Sequence, residues 1–241
     1  MDGCVQVIRP KVLFKLVEDA FPAQNVSFNV LIPTSMIGGL TLLESSILVS
    51  LIHLLRPTEF FEFGTYHGAT SVLLASNSAD HARITTLDLP PAEAAATEAE
   101  AADGRHLREG AANDAFLRRS FASRGSPYID RAPPAVRRKV QRLHGDSREL
   151  QPAGQGLAGR FDFIFIDGGH DLETVRIDTG NALQMAREDA VILWHDYRSA
   201  LHGDVSRFVD DFSRGQPVIH VEHTMLAFSL LGRHRRLLPE G

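Results

Sequence analysis

The sequence predicts an α/β fold built on a doubly wound, mainly parallel sheet. Three observations carry that expectation. Apolar runs of strand length alternate with helical stretches, the pattern of strands joined by crossover helices. The runs are short and apolar, as strands buried on both faces are. Finally, Gly64, Asp88, Gly145-Asp146, Asp167 and His195-Asp196 each fall just past a run, where ligands sit in such sheets.

Residues 1–35 are mixed. Val12, Leu13, Phe14, Leu16 and Val17 suggest a short helix ending near Phe21-Pro22. From Thr41 to Leu54 the leucines and isoleucines recur at helical spacing. Thr41 with Glu44 three residues on reads as a capping box. The strands expected next are 59–63, 83–88, 139–143, 161–166 and 190–194. Helices are expected over Ala69–Ser76, Leu172–Met185 and Val205–Phe212, and Pro217–Val221 and Met225–Leu231 read as two closing strands. This divides the chain into an N-terminal helical cap, 1–56, and a main domain, 57–241. Residues 92–138 interrupt that domain with more chain than a crossover needs. Within them Ala92–Ala102 is Ala/Glu-rich and helical in character, and Arg118–Arg138 is Arg-rich and broken by Gly125, Pro127, Pro133 and Pro134. A solvated surface helix, a substrate lid and a dimer contact are all compatible with this insertion.

Composition narrows the classes. Of 241 residues 44% are apolar, enough for a sizeable core, and the net charge of −5 disfavours broad nucleic-acid binding. Cys4 is the only cysteine, so no internal disulfide can form. The longest apolar region, Leu42–Leu55, contains Glu44 and His53 and is too short to span a bilayer. Arg9, Pro10 and Lys11 break the first apolar stretch, so no signal peptide is expected. The expectation is a cytosolic protein without membrane or nucleic-acid partners; self-association into a homo-oligomer is left open.

The stretch Glu62-Phe63-Gly64-Thr65-Tyr66-His67-Gly68-Ala69-Thr70-Ser71 is a strand, a glycine loop and a helix start. Gly64 permits a tight turn and close approach to the backbone, and Gly68 lets the helix begin near the sheet. Free amides at the helix start suit a carboxylate. The glycine spacing is neither the Gly-x-Gly-x-x-Gly of dinucleotide enzymes nor a phosphate loop. Asp88 ends the next strand, a place suited to binding ribose hydroxyls.

Together the loop, Asp88, Gly145-Asp146-Ser147 and Phe161–Asp167 resemble the motifs of class I S-adenosylmethionine-dependent methyltransferases. The chain is most similar to the small-molecule O-methyltransferases of the catechol and macrolide-sugar type, over about residues 36–200 without the insertion. The resemblance implies a Rossmann-like, seven-stranded sheet whose last strand is antiparallel. It implies S-adenosylmethionine as cofactor and a small-molecule acceptor. The cofactor would be held by Glu62, Gly64, Thr65, Tyr66, Gly68, Ser71, Asp88, Asp146, Ser147 and Asp167. Glu62 and Gly64 take the methionine part, Asp88 the ribose, and Asp146 and Ser147 the adenine. Thr34, Ser35 and Met36 match a further cofactor contact only loosely.

Asp167, His195 and Asp196 close neighbouring strands. Asp167 and Asp196 are placed to hold one divalent cation, Mg²⁺ or Mn²⁺, that would lower the pKa of an acceptor hydroxyl. The resemblance implies metal ligands at Asp167, His195 and Asp196, but relatives usually carry an acid where His195 stands. His195 therefore reads either as a ligand to a borderline metal or as a polar group in place of one. His170, three residues past Asp167, matches the general base of the resembling enzymes, and an unperturbed histidine pKa of about 6.5 suits that task. His170 and Asp167 are thus the expected catalytic pair. His67, His106, His202 and five further histidines read as surface or packing residues, and Trp194 as core or pocket wall. Two other readings keep the cofactor: a metal-independent N- or C-methyltransferase, and a binding protein without turnover.

Overall fold

The computed structural model describes residues 5–22, 26–31, 37–90 and 105–238. Eight strands form one sheet: β1 (Gln6–Ile8), β2 (Glu59–Phe63), β3 (Arg83–Asp88), β4 (Val140–His144), β5 (Phe161–Ile166), β6 (Ala186–Trp194), β7 (Ile219–Val221) and β8 (Ala227–Leu230). Their spatial order is β1-β7-β8-β6-β5-β2-β3-β4. All neighbours are parallel except β8, which runs antiparallel to both β6 and β7. The mainly parallel α/β sheet with an antiparallel last strand is as expected. The eighth strand is β1, three residues of the unassigned N-terminus that extend the sheet beyond β7. Its residues are too few to show a strand period.

Side chains on successive strand positions enter opposite layers. Phe60, Phe163, Phe165, Val191 and Leu193 pack with α1 (Pro10–Ala20), α2 (Leu42–Leu55) and α3 (Ala69–Asn77). Phe61, Phe63, Ile164, Ile166, Ile192 and Trp194 pack on the other face with α7 (Leu172–Met185) and α8 (Gly203–Phe212). Trp194 is fully buried and donates to Thr179 Oγ1 at 2.9 Å, so it is a core residue. The capping box of α2 is present: Glu44 N–H donates to Thr41 Oγ1 (3.2 Å), and Thr41 N–H to Glu44 Oε2 (2.8 Å).

Strand β6 begins four residues earlier than expected, directly after α7. Its first residues, Ala186-Arg187-Glu188-Asp189, are mostly polar and partly or fully exposed. Backbone pairing of Ala186 with Phe161 still makes it a strand. Within the insertion, Ala92–Ala102 lies outside the described residues. The rest forms α4 (Gly110–Arg124), α5 (Pro127–Arg131) and α6 (Pro134–Arg137). This part is not a solvated appendage. Ile129 and Ala132 bury themselves against Val72 of α3, and Phe121 is 3% exposed.

Candidate active site

Strands β6, β5, β2 and β3 lie side by side, so their carboxyl ends bring Asp196, His195, Asp167, Gly64 and Asp88 onto one rim. Gly64 has φ 88°, and a Cβ there would fall 2.0 Å from the Asp167 carbonyl oxygen. The close approach it permits is thus that of the neighbouring strand end. Gly68 has φ 81°, and its missing Cβ makes room for Ile129 of α5 at 2.5 Å. Sequence reasoning placed the sheet there; the structure places the insertion.

Between these glycines Tyr66 adopts φ 46°, a left-handed conformation that costs a non-glycine residue energy and marks functional loops. Its N–H donates to Asp88 Oδ2 at 2.7 Å, and Leu89 N–H donates to Oδ1 at 2.8 Å. The Thr65 amide also bonds this carboxylate, so three backbone N–H groups hold it and about one acceptor position is left for a ligand. Burial raises the Asp88 pKa despite these bonds. Thr65 and Thr86 hydroxyls pair at 2.7 Å beneath the loop. Glu62 is 1% exposed and accepts a hydrogen bond from the Ser71 hydroxyl. Burial, helped by the nearby acids Asp167 and Asp88, pushes its pKa up to about 8. No basic side chain faces this acid among the described residues.

Further along the rim Asp146 caps the turn Ser147–Glu149 and pairs with Arg148, Oδ2 to Nη2 at 2.5 Å. Its carboxylate is engaged within its own loop, and that pairing lowers its pKa. The Ser147 carbonyl accepts from Asn181 at 3.2 Å, which ties the loop to α7. Beside it stands Asp178, fully buried, its pKa raised to about 7 by burial.

The other half of the rim mixes acids with histidines. His195 is 6% exposed; its Nδ1 lies 3.1 Å from Asp167 Oδ1 and 3.3 Å from Asp196 Oδ2, and its Nε2 lies 3.6 Å from Glu44 Oε1. His170 Nε2 meets Asp196 Oδ2 at 3.0 Å, and its Nδ1 meets Asp114 Oδ1 at 2.7 Å. Burial opposes charge on His170, but Asp114 and Asp196 outweigh it and push the pKa up to about 10. The carboxylates likewise hold His195 well above its usual value against burial. Burial would raise Glu44, yet His195 and two backbone amides bring it down to about 2. Asp196 sits at φ 59°, a second strained non-glycine residue on the rim.

Asp167, His170 and Asp196 bring ligand atoms within 4.8 Å of one another, and His195 touches both acids. The expected catalytic and metal residues therefore converge. Four others were not found from sequence. Glu44 showed only as a cap, although it also accepts from Met225 N–H at 2.8 Å and faces His195. Asp114 lies in the insertion, outside every motif. His202 (6% exposed) stacks on His170 at 3.9 Å, and His67 (1% exposed) bonds Gly125 O and Ser120 Oγ of the insertion, both at 3.1 Å. With eleven histidines, nothing in one sequence distinguishes these two from surface residues.

Residues 61–197, more than half of the chain, match a family described as a methyltransferase domain. The chain belongs to that family. The methyltransferase also resembles solved structures in fold. It superposes on cofactor-bound Rv0187 from MTB with a TM-score of 0.55 and 17% identity, covering 92% of this chain and 88% of that one. SAH-bound PaMTH1 from Podospora anserina gives 0.52 and 14%, covering 93% and 88%. The O-methyltransferase from Bacillus cereus in complex with SAH gives 0.50 and 16%, covering 92% and 90%. No curated protein matches the chain. In this methyltransferase the matched span runs from β2 to Tyr197, so it contains the rim from Glu62 to Asp196 together with the insertion, while Glu44 and His202 lie outside it.

Proposed function

We propose that the protein moves a methyl group from S-adenosylmethionine to a hydroxyl of a soluble small molecule in the cytosol. One observation carries this reading: a buried acid without a basic partner among the described residues (Glu62) and an acid held only by backbone amides (Asp88) flank the glycine loop, directly beside a histidine–carboxylate cluster on the next strands. Glu62 suits the ammonium of the methionine part, and Asp88 the ribose diol. Ser147 and its loop lie further along, where the adenine would sit; Asp146 acts there through its grip on Arg148. That two solved proteins of this fold hold SAH supports the choice of cofactor.

S-adenosylmethionine supplies the electrophilic methyl group. The chain must hold the acceptor oxygen in line with it and keep that oxygen deprotonated. His170 is proposed as the base only when Asp196 is drawn away from it: with Asp114 and Asp196 both beside it the ring keeps its proton up to about pH 10, not the ordinary 6.5 expected from the sequence. Asp114 at Nδ1 orients the ring, and Nε2 is the nitrogen open to an acceptor once Asp196 is engaged elsewhere. The donor set of Asp167, Asp196 and an adjacent imidazole fits a divalent cation, which would supply Lewis acidity at the hydroxyl. A second, metal-independent reading draws on His195, whose ring already contacts the two carboxylates that a cation would need.

Thermal shift with S-adenosylhomocysteine, with and without Mg²⁺, tests cofactor and metal together. At about a hundred times its dissociation constant the ligand should add roughly 2.7 kcal/mol of stability. No shift at saturation sinks the cofactor reading. A shift that neither metal nor chelator alters favours the metal-independent one.

A further inference from the structure

We propose that Asp114, His170 and His202 form a binding site for a borderline divalent transition metal such as Zn²⁺, separate from the carboxylate pair Asp167–Asp196. The three residues come from α4, the β5–α7 loop and the start of α8, and each offers one ligand atom within 4.8 Å of the others. The site goes beyond the methyl-transfer reading and rests on none of it.

His202 is the informative member. Its side chain is 5% exposed, and neither ring nitrogen makes a hydrogen bond among the described residues. The neutral His202 ring therefore keeps one nitrogen lone pair available to an ion. His202 Nδ1 points at Asp114 Oδ1 across 4.0 Å. That gap is too long for a hydrogen bond. Two ligands each about 2.0–2.2 Å from one zinc ion can stand that far apart. The rings of His170 and His202 lie nearly parallel, 20° apart, and both present Nδ1 to the same carboxylate. Packing fixes the arrangement: a Cβ on Gly110, at the start of α4, would meet Leu201 O at 2.6 Å and His202 Nδ1 at 3.2 Å.

Two imidazoles and one carboxylate select zinc, iron or cobalt over magnesium, which prefers oxygen ligands and its own water. Loading replaces the proton that His170 Nδ1 shares with Asp114, so the 2.7 Å contact opens as the ion enters. His170 Nε2 still faces Asp196. An ion here would clamp the insertion onto the rim through α4 and α8.

The test uses the full chain, stripped with chelator and retitrated with Zn²⁺ by calorimetry and with Co²⁺ by visible absorption. One ion with a cobalt band characteristic of histidine ligation is expected. His202→Phe keeps the stacked ring but removes the nitrogens, and Asp114→Asn keeps the shape but weakens the ligand. Each, with a native melting transition, should lose the band or bind at least about tenfold more weakly. Asp167→Asn, which removes a carboxylate of the other pair that bonds neither histidine ligand, should retain it. Absence of binding, retention in both first variants, or loss confined to Asp167→Asn each overturns the proposal; the last places the ion on the carboxylate pair.

Discussion

The two halves of the rim handle buried acids in opposite ways. On the loop side, no basic side chain bonds Glu62 or Asp88 among the described residues; His144 draws Asp88 down only in part, and burial pushes both pKa values up, Glu62 to about 8. On the histidine side, Glu44 and Asp196 are equally buried, yet His195 and His170 hold them down, Glu44 at about 2. A buried carboxylate must either neutralise or find a partner. One half carries its partners within the chain; the other leaves positions that a charged ligand can complete. This asymmetry is what a cofactor with an ammonium group, placed next to a histidine–carboxylate cluster, calls for.

The largest expected effect comes from removing the internal partner. In chelator-treated protein, His195→Leu leaves Glu44 and Asp167 without their cationic partner, while Asp196 keeps only His170. Breaking a buried ionic cluster from one side costs about 3–5 kcal/mol, which urea unfolding would measure. A loss below about 1 kcal/mol would show that the acids do not depend on His195, and the comparison would fail.

A middle-sized effect is a matter of pH. His170 has a folded pKa of about 10 against an ordinary 6.5, so its ion pairs stabilise the fold fully below the ordinary value. That stability drains away as pH rises from about 6.5 through 10. Asp114→Asn removes one of the pairs. The melting-temperature gap between wild type and Asp114→Asn, both metal-free, should therefore be widest near pH 6 and close towards pH 10. A gap constant across this range would mean that Asp114 acts by packing alone.

What the sequence revealed of this asymmetry follows the physics of each element. Strands β2, β3 and β5 were legible to the residue, because burial on both faces leaves unbroken apolar runs. Their carboxyl ends then located Gly64, Asp88 and Asp167. The start of β6 was hidden by Arg187, Glu188 and Asp189, polar residues that reach solvent in an irregular stretch between the pairings of Ala186 and Val191. The acid partners were harder. Glu44 satisfied a helix cap and so needed no second role, and Asp114 lies 56 positions from the histidine it contacts. Nor could residue types show that His170 is charged: its shift comes from Asp114 and Asp196, which only the folded chain assembles.

The smallest effect on stability is also the most pointed. Glu62 is protonated in the folded state up to about pH 8 but titrates near 4.5 when exposed. A raised carboxyl pKa stabilises the fold at low pH and loses that contribution as pH climbs through 8. Glu62→Gln keeps an acceptor for Ser71 and cannot ionise. At pH 9 the free variant should therefore be as stable as wild type or more so, by on the order of 1 kcal/mol. Its affinity for S-adenosylhomocysteine should nonetheless fall about tenfold, the worth of one charge-assisted hydrogen bond. Calorimetric titration beside a melting curve reads both. A variant that loses stability and keeps its affinity would mean that Glu62 is a structural acid, and that the loop side of the rim awaits no cation.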